Sequence, residues 1–526
     1  MDTITVQPLQ WSELSALAPE LTLVIAAVLI SLIDLLLPKR IHREWIGILS
    51  LASVLFSLYF VVSTLADRYT QAVGGEAVGA LQLLNQSYRV DDFALLLKVL
   101  FLVGTAFVIL ISMGSMKDDE LPHRGEYYYL LLPAALGGMM MASSGDLITL
   151  YVGLELLSIT SYILVGMKKN DRRSTEGAFK YAVLGSVASA FILYGMSFLY
   201  GMSGSTNLID IAQSLTTHVA AFQPLIYVSF LLLIVGLGFK IAAAPFHAWS
   251  PDVYQGAPTP ITAFLAVVAK GASLAVVFRI IFNVFFGLGA ESDTEGQRVF
   301  SIYNDVTIML LAIAALSMVV GTTMALRQKN VKRLLALSGI ANAGYLLVPI
   351  GLNILGNTIN ASVFNAFWYY LAAYLFTTIG AFAVLMVVSR VVGHEELKGF
   401  AGLYHRSPWL AVAMTVFVLS LAGIPITAGF FGKLYIIVGA VAAHSIWIAI
   451  VMMLTSVISF YFYFGFIRQM YMRHGQEGKI TVLAPQGSVI AICVLFVLGF
   501  GLFPNEVMGW LNTLFSIPGD LFTLTP

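Results

Sequence analysis

The chain holds a single cysteine, Cys493, in 526 residues. One thiol excludes an intrachain disulfide and leaves too few thiolates for an iron–sulfur cluster. Set in an apolar run, it reads as a small hydrophobe. Charge is equally scarce: 11% of residues are charged, against about 25% in soluble domains, and Lys plus Arg balance Asp plus Glu at 28 each. No basic surface therefore points to nucleic acid. There is no CxxC, no HExxH, no Walker loop and no Gly-rich dinucleotide fingerprint after a strand, so neither a cofactor nor a metal is expected on this chain. His394, Glu395, Glu396 and His405 read as a solvated face or a docking surface. The first residues are acidic and lack a basic n-region, which argues against a removable signal peptide.

What is abundant is apolar: 59% of residues are hydrophobic and the mean hydropathy is +0.88. About 20 apolar residues cross the hydrocarbon core. Windows of that size predict an all-α polytopic membrane protein of fourteen transmembrane helices, beginning near Leu21, Ile46, Phe93, Tyr127, Leu147, Ala178, Pro224, Thr259, Ile308, Leu334, Phe364, Trp409, Trp447 and Val482. Lys and Arg number nineteen in the loops after odd-numbered spans and three (Arg68, Arg89, Arg298) in the others. The positive-inside rule then places the odd loops in the cytoplasm and both termini on the opposite face. Lys98 and Arg279 lie toward span ends, where long side chains snorkel. Aromatics, 12% of the chain, read as interface belts and packing.

Two spans are interrupted. The seventh reads GLGFKIAAAPFHAW, with Pro245 five residues after Lys240, and the twelfth reads LAGIPITAGFFGKLY, with Pro425 eight residues before Lys433. Proline removes a donor and clashes with the preceding turn. A carbonyl freed at membrane depth needs protein or water as its partner. The two breaks lie an odd number of spans apart and so run in opposite directions, which predicts two inverted five-helix repeats, spans 4–8 and 9–13. The expected divisions are an N-terminal three-helix segment (1–120), a first repeat (121–290), a second repeat (291–475), and a C-terminal helix and tail (476–526).

Ionisable residues stand inside these spans: Glu155, Lys180, Lys240, Lys270 and Lys433. A charge at the centre of a membrane helix carries a penalty of about 2.5–3.5 kcal/mol and usually marks a path for ions or protons. Glu155 and Lys180, on adjacent antiparallel helices, are expected to meet as a buried pair. A static pair holding two helices in register is the competing reading. Lys240 and Lys270 have no carboxylate in their own helices, and burial disfavours a lysine's charged form, which suits a relay group. His247 either bridges intermediate waters or caps the broken backbone. Two unit charges about 8 Å apart at an effective dielectric of about 20 interact by roughly 2 kcal/mol, so a charge approaching one lysine disturbs the next.

The stretches VGLGFKIAAAPFHAWSPDVYQGAPTPITAFLAVVAKGA, KRLLALSGIANAGY and LSLAGIPITAGFFGKLY resemble the antiporter-like membrane subunits of respiratory and photosynthetic complex I. The length without a lateral-helix extension, and LY after Lys433, resemble the N-type subunit, also called subunit 2. GDLITLYVGLELLSITSYILVG, EGAFKYAVLGSVASAFILYGMSFLYG and AGLYHRSPWLA resemble its cyanobacterial and chloroplast version, an NAD(P)H-quinone oxidoreductase subunit. That resemblance implies proton translocation from cytoplasm to thylakoid lumen. It also implies iron–sulfur clusters and plastoquinone held by partner subunits, ferredoxin reaching the complex through a hydrophilic redox arm, and sister antiporter-like subunits and lipids as neighbours. Position by position it assigns the proton relay to Glu155, Lys180, Lys240 with His247, Lys270 and Lys433. Asn342 departs from the histidine common in sister subunits. The alternative is an Mrp-type cation/proton antiporter subunit, but sodium wants oxygen ligands and this row is four lysines to one carboxylate.

Overall fold

The computed structural model describes residues 11–515, apart from 39–41, 75–78, 116–120, 122, 290–301, 353–359, 476–477 and 479. Both termini, and Lys39, Arg40, Lys117, Arg298 and Lys479 of the charge count, lie outside the described residues. The fold is nearly all helix. In chain order, α1 (Ala18–Leu36) and α2 (Glu44–Val73) precede a short antiparallel hairpin, β1 (Leu81–Leu83) and β2 (Tyr88–Val90). Then come α3 (Asp92–Ser112), α4 (Arg124–Ser143), α5 (Leu147–Val165), α6 (Arg172–Ser203) and α7 (Val219–Lys240). After α7 follow α8 (Ser250–Gly256), α9 (Thr259–Phe264) and α10 (Lys270–Ile280), the last two joined by a π-helical turn, Leu265–Ala269. The second half has α11 (Ile302–Ala325), α12 (Val331–Gly351), α13 (Asn360–Val392), α14 (Pro408–Ala422), α15 (Ala428–Ala442) and α16 (Ile446–Met472). α17 (Ala484–Leu502) and α18 (Pro504–Leu514) close the described chain.

Each of the fourteen expected spans has its helix. Twelve are long and apolar enough to cross a membrane; α14 and α15 are two shorter apolar pieces of the interrupted twelfth span. The expected fourth span is α4, whose opening Arg124 and Glu126 and whose tyrosines make it less apolar than the rest. Helix starts are written locally. Asp91, Asp146, Asp171 and Asn330 each accept a backbone N–H of the first turn of α3, α5, α6 and α12, satisfying donors that a helix start leaves without an intrahelical partner.

The α9–α10 segment, α12 and α13 have apolar windows wholly buried inside the chain, whereas the window of α1 is 22% buried. A helix apolar on every side is a core helix when other helices surround it and a lipid-facing one when they do not. Lys270 heads α10, within this central group of three. Residues from the loops after the third, fifth, ninth and eleventh spans, among them Ser115, Lys168, Lys329 and Glu395, line one cavity. Those odd-numbered loops therefore share one end of the bundle.

Both interruptions occur where expected, and each ends its helix before its proline. α7 stops at Lys240, and Ala242 takes a left-handed φ of +57°. The carbonyl of Gly238 accepts from Ala243 N (2.8 Å), and that of Phe239 accepts from Trp249 Nε1 (3.0 Å). α14 stops at Ala422, and Gly423, at φ +87°, makes the left-handed turn that glycine adopts without steric cost.

Candidate functional site

Lys433 sits inside α15 and reaches back across the second interruption. Its Nζ donates to the carbonyls of Leu421 (2.8 Å) and Ala422 (3.3 Å), both freed by the end of α14, and to Ser456 Oγ (3.0 Å) of α16. It also lies 4.8 Å from the Tyr345 ring centroid. All these ligands are neutral. The lysine is 5% exposed, and among the described residues it is held by dipoles and a π-face without a carboxylate.

Lys270, 2% exposed, is held the same way: Nζ donates to Gly339 O of α12 at 2.6 Å. A Cβ on Gly339 would lie 3.0 Å from both Lys270 Nζ and Tyr374 Oη; the missing side chain is what lets the ammonium reach this backbone. The π turn immediately before Lys270 is a local irregularity of the kind that gathers at functional sites.

Between these lysines lies a polar stripe that sequence reasoning missed. Ser338, Asn342 and Tyr345 recur at helical spacing on one face of α12. Asn342 donates to Ser338 O (2.8 Å) and Ser338 Oγ (3.2 Å) and accepts from Tyr370 Oη. Ser338 Oγ also hydrogen-bonds Tyr463 Oη. Tyr345 Oη meets Thr455 Oγ1 (3.0 Å) and Ser456 Oγ (3.5 Å), and Ser456 is the ligand of Lys433. The rings of Tyr345 and Tyr370 bring the two groups edge to face, 6.1 Å apart. Asn342, singled out as the departure from histidine, is therefore a hydrogen-bonding member of span ten.

Lys240 differs. Its Nζ donates to Ser158 Oγ (2.7 Å) and Tyr162 Oη (3.3 Å), both on α5, the helix that carries Glu155. Glu155 is the carboxylate whose charge acts on Lys240, and its Oε1 has no hydrogen-bond partner among the described residues. Beyond Tyr162 the path is aromatic. Tyr162 packs on Tyr181, which stacks 4.6 Å from Trp249, and Trp249 meets Tyr254.

The expected pairing of Glu155 with Lys180 is corrected. Lys180 Nζ donates to Glu176 (2.7 Å), one turn back on α6, and to Asp252 Oδ2 (2.7 Å) on α8. Its side chain is 38% exposed, because Lys180 lies near the start of α6 whereas Glu155 lies at the middle of α5. Asp252 also binds Arg333 of α12 at 2.6 Å, so one carboxylate ties a lysine of the first half to an arginine of the second. His247 is half-buried in the segment between α7 and α8, and its carbonyl accepts from Ser250 N (3.0 Å). Among the described residues, no side-chain hydrogen bond joins His247 to Lys240 or Lys270.

Lys98 and Arg279 do not snorkel. Lys98, 1% exposed, pairs with Glu20 (2.9 Å) and donates to Tyr88 Oη (3.1 Å). Arg279, fully buried, binds Asp91 through two nitrogens at 2.7 Å each and Ala142 O at 2.8 Å. Their carboxylates come from distant segments, so no pattern within one span announced them.

At the shared loop end, a cavity of about 710 Å³ opens between the two halves. Gln255–Pro260 before and at the start of α9, and His394, Glu395 and Glu396 after α13, both contribute to its wall. Its floor is Lys332 of α12, 2% exposed, bound to Glu395 (2.5 Å) and to Ala257 O (2.9 Å). At the rim Lys398 donates to Glu396 at 2.9 Å, and that hydrogen bond holds the Glu396 carboxyl below the usual carboxylate range. Lys332 stands two turns of α12 from Gly339, the partner of Lys270.

Three buried lysines, Lys240 at the end of α7, Lys270 after the π turn and Lys433 facing the second interruption, thus donate to hydroxyls or backbone carbonyls. The family described as NADH:quinone oxidoreductase/Mrp antiporter, TM, matches residues 144–459. NADH-quinone oxidoreductase subunit N of a Paenibacillus species is 51% identical over 98% of this chain and 99% of its own length. The subunit N of Bacillus anthracis is 39% identical over 100% and 99%. The chain thus belongs to the antiporter-like family of complex I membrane subunits, among its N-type members. A chain of respiratory complex I from Thermus thermophilus superposes with a TM-score of 0.75 at 30% identity, covering 93% of this chain and 98% of that one. A chain of the Mrp complex from a Dietzia species shares the fold, with a TM-score of 0.79 at 18% identity over 97% and 98%.

Proposed function

We propose that this chain is a proton-translocating membrane-arm subunit of an NADH:quinone oxidoreductase, seated in a bacterial plasma membrane beside sister antiporter-like subunits. Lys270 is the central relay, Lys240 its input and Lys433 its output. The observation that carries this reading is the pair of hydrogen-bonded groups between Lys270 and Lys433: Ser338, Asn342, Tyr370 and Tyr463 beside the Gly339 carbonyl that holds Lys270, and Tyr345, Thr455 and Ser456 leading to Lys433, the two meeting through the Tyr345 and Tyr370 rings. Hydroxyls donate and accept at once, so these groups, bridged by water at Gly339 and at the ring contact, would pass a proton where an ion pair would hold it.

The cavity floored by Lys332 and Glu395 supplies the cytoplasmic mouth, two helical turns above Lys270. The incoming disturbance arrives at Glu155, whose buried Oε1 has no hydrogen-bond partner among the described residues, and it passes to Lys240 through the field of that carboxylate. A reducing event elsewhere in the complex drives the cycle. NADH as donor and a membrane quinone as acceptor follow the names of the bacterial relatives and replace ferredoxin and plastoquinone in the reading; with them the thylakoid setting gives way to a plasma membrane. An Mrp-type role draws support from the shared fold. It is separated by co-purification: a complex I subunit travels with hydrophilic redox subunits, an Mrp subunit does not.

The test is proton uptake per electron in sealed membranes containing the whole complex, wild type against Lys270→Ala at matched complex abundance. A lowered ratio with the complex assembled is expected. An unchanged ratio would make the central lysine structural and the path wrong.

A further inference from the structure

On the outer surface of the second half, a groove of about 880 Å³ runs between the loop-end of α11 and the last turns of α16. Its wall mixes two chemistries. Arg327, Lys329 and Arg468 stand at the rim, and all three are exposed. Tyr461, Phe464 and Met472 form the apolar side, with Tyr461 72% and Met472 76% exposed. Among the described residues, no acidic side chain lines the groove. The nearby carboxylates are bound by other lysines, Glu395 by Lys332 and Glu396 by Lys398, although Lys329 also lies in the field of Glu396.

The groove does not end at the rim. One helical turn deeper, between the same two helices, lies a furrow of about 180 Å³ bounded by Val319, Leu454 and Ile458, with threonines whose hydroxyls donate back to their own helices. From Arg468 down to Val451, the deepest residue of α16 in this furrow, are 17 residues, about 25 Å at 1.5 Å each. One leaflet of a hydrocarbon core about 30 Å thick is shorter than that. The cleft therefore begins at headgroup level with three positive charges and continues as hydrocarbon surface over the full depth of a leaflet.

We propose that this groove is a binding site for an anionic diacyl phospholipid, its phosphate held by Arg327, Lys329 and Arg468 and its chains laid between α11 and α16. The charge pattern selects this occupant. An apolar helix of a neighbouring subunit would cover the furrow but bring no anion to the cationic rim, and a zwitterionic lipid would bring its own ammonium there. Juxtamembrane Lys and Arg attract anionic lipid individually, and here three converge on one cleft. This inference requires only that the chain be in a membrane, so it stands or falls apart from the proton path.

The test uses the whole complex reconstituted in vesicles of phosphatidylcholine mixed with phosphatidylglycerol, with a photo-reactive amino acid in place of Tyr461. The expected adduct is phosphatidylglycerol, enriched over its share of the vesicle. Combining Arg327→Gln with Arg468→Gln should lower that adduct on the order of tenfold, whereas Lys398→Gln, outside the groove, should leave it unchanged. Adducts that follow the bulk lipid ratio, or an adduct to another protein subunit, would overturn the proposal. The probe at Tyr461 alone removes no charge, so this arm decides the matter even if the double variant fails to assemble.

Discussion

Lys240 and Lys433 stand at the two interruptions of the bundle, yet the structure uses them differently. Lys433 lies beyond its break and turns back to cap it, donating to two carbonyls that the end of α14 leaves open. Lys240 is the last residue before its break and turns away from it, to hydroxyls on α5. The first break closes without its lysine, through Ala243 N and the Trp249 indole. Matching interruptions therefore do not imply matching roles. At the first break the lysine is a ligand that can leave, and at the second it is also part of the backbone's hydrogen-bond accounting.

Removing each lysine breaks this comparison most strongly. Lys433→Met leaves two buried carbonyls without their partner, at about 1–3 kcal/mol each, so the purified complex should lose stability on the order of 2–6 kcal/mol. Lys240→Met takes a donor from two hydroxyls that keep their own hydrogens to donate, and removes the charge facing Glu155, but leaves no backbone carbonyl open, and should cost less. Thermal inactivation of the two variants side by side measures the difference. Equal losses would mean that Lys433 does not hold its break together.

A smaller effect sharpens the contrast between the aromatic approach to Lys240 and the hydroxyl run beyond Lys270. Asn342 is the residue through which Ser338 and Tyr370 are joined. Asn342→Leu keeps the volume and deletes the join. A net hydrogen bond of about 0.5–1.5 kcal/mol corresponds to a slowing of up to about tenfold, read as proton flux in sealed membranes at matched abundance. Asn342→His, which restores a donor and an acceptor, should recover most of it. A leucine variant with full flux would remove the stripe from the path.

These residues also show what a sequence can carry. Spans, their alternate orientation and both breaks were legible because each is a property of a continuous stretch: twenty apolar residues, a basic loop, a proline after a lysine. The lysine row was legible because a charge inside an apolar window is visible without knowing its partner. Partners were not. Asp252 lies 72 residues from Lys180, and Asp91 lies 188 from Arg279; only the packing of helices brings them together. The stripe Ser338, Asn342, Tyr345 was written at helical spacing and could have been found. It went unread because small polar residues in a membrane helix are common, and their neighbours on α13 and α16 are what make it a chain.

The Lys180 pair offers the finest test, since two carboxylates compete for it. If Asp252 is its partner, Lys180→Gln and Asp252→Asn should not add. A double-mutant cycle on the stability of the complex should show coupling of about 0.2–1 kcal/mol, the range of partly exposed ion pairs. The same cycle between Lys180 and Glu155 should show none, because Glu155 faces Lys240 from the middle of α5. The opposite result would mean that Lys180 swings inward when neighbouring subunits cover α6. Asp252 would then be the resting partner of a lysine that changes hands, still bound to Arg333. The first half of the row would owe its coupling to that exchange, and the second half would keep its fixed chain of hydroxyls.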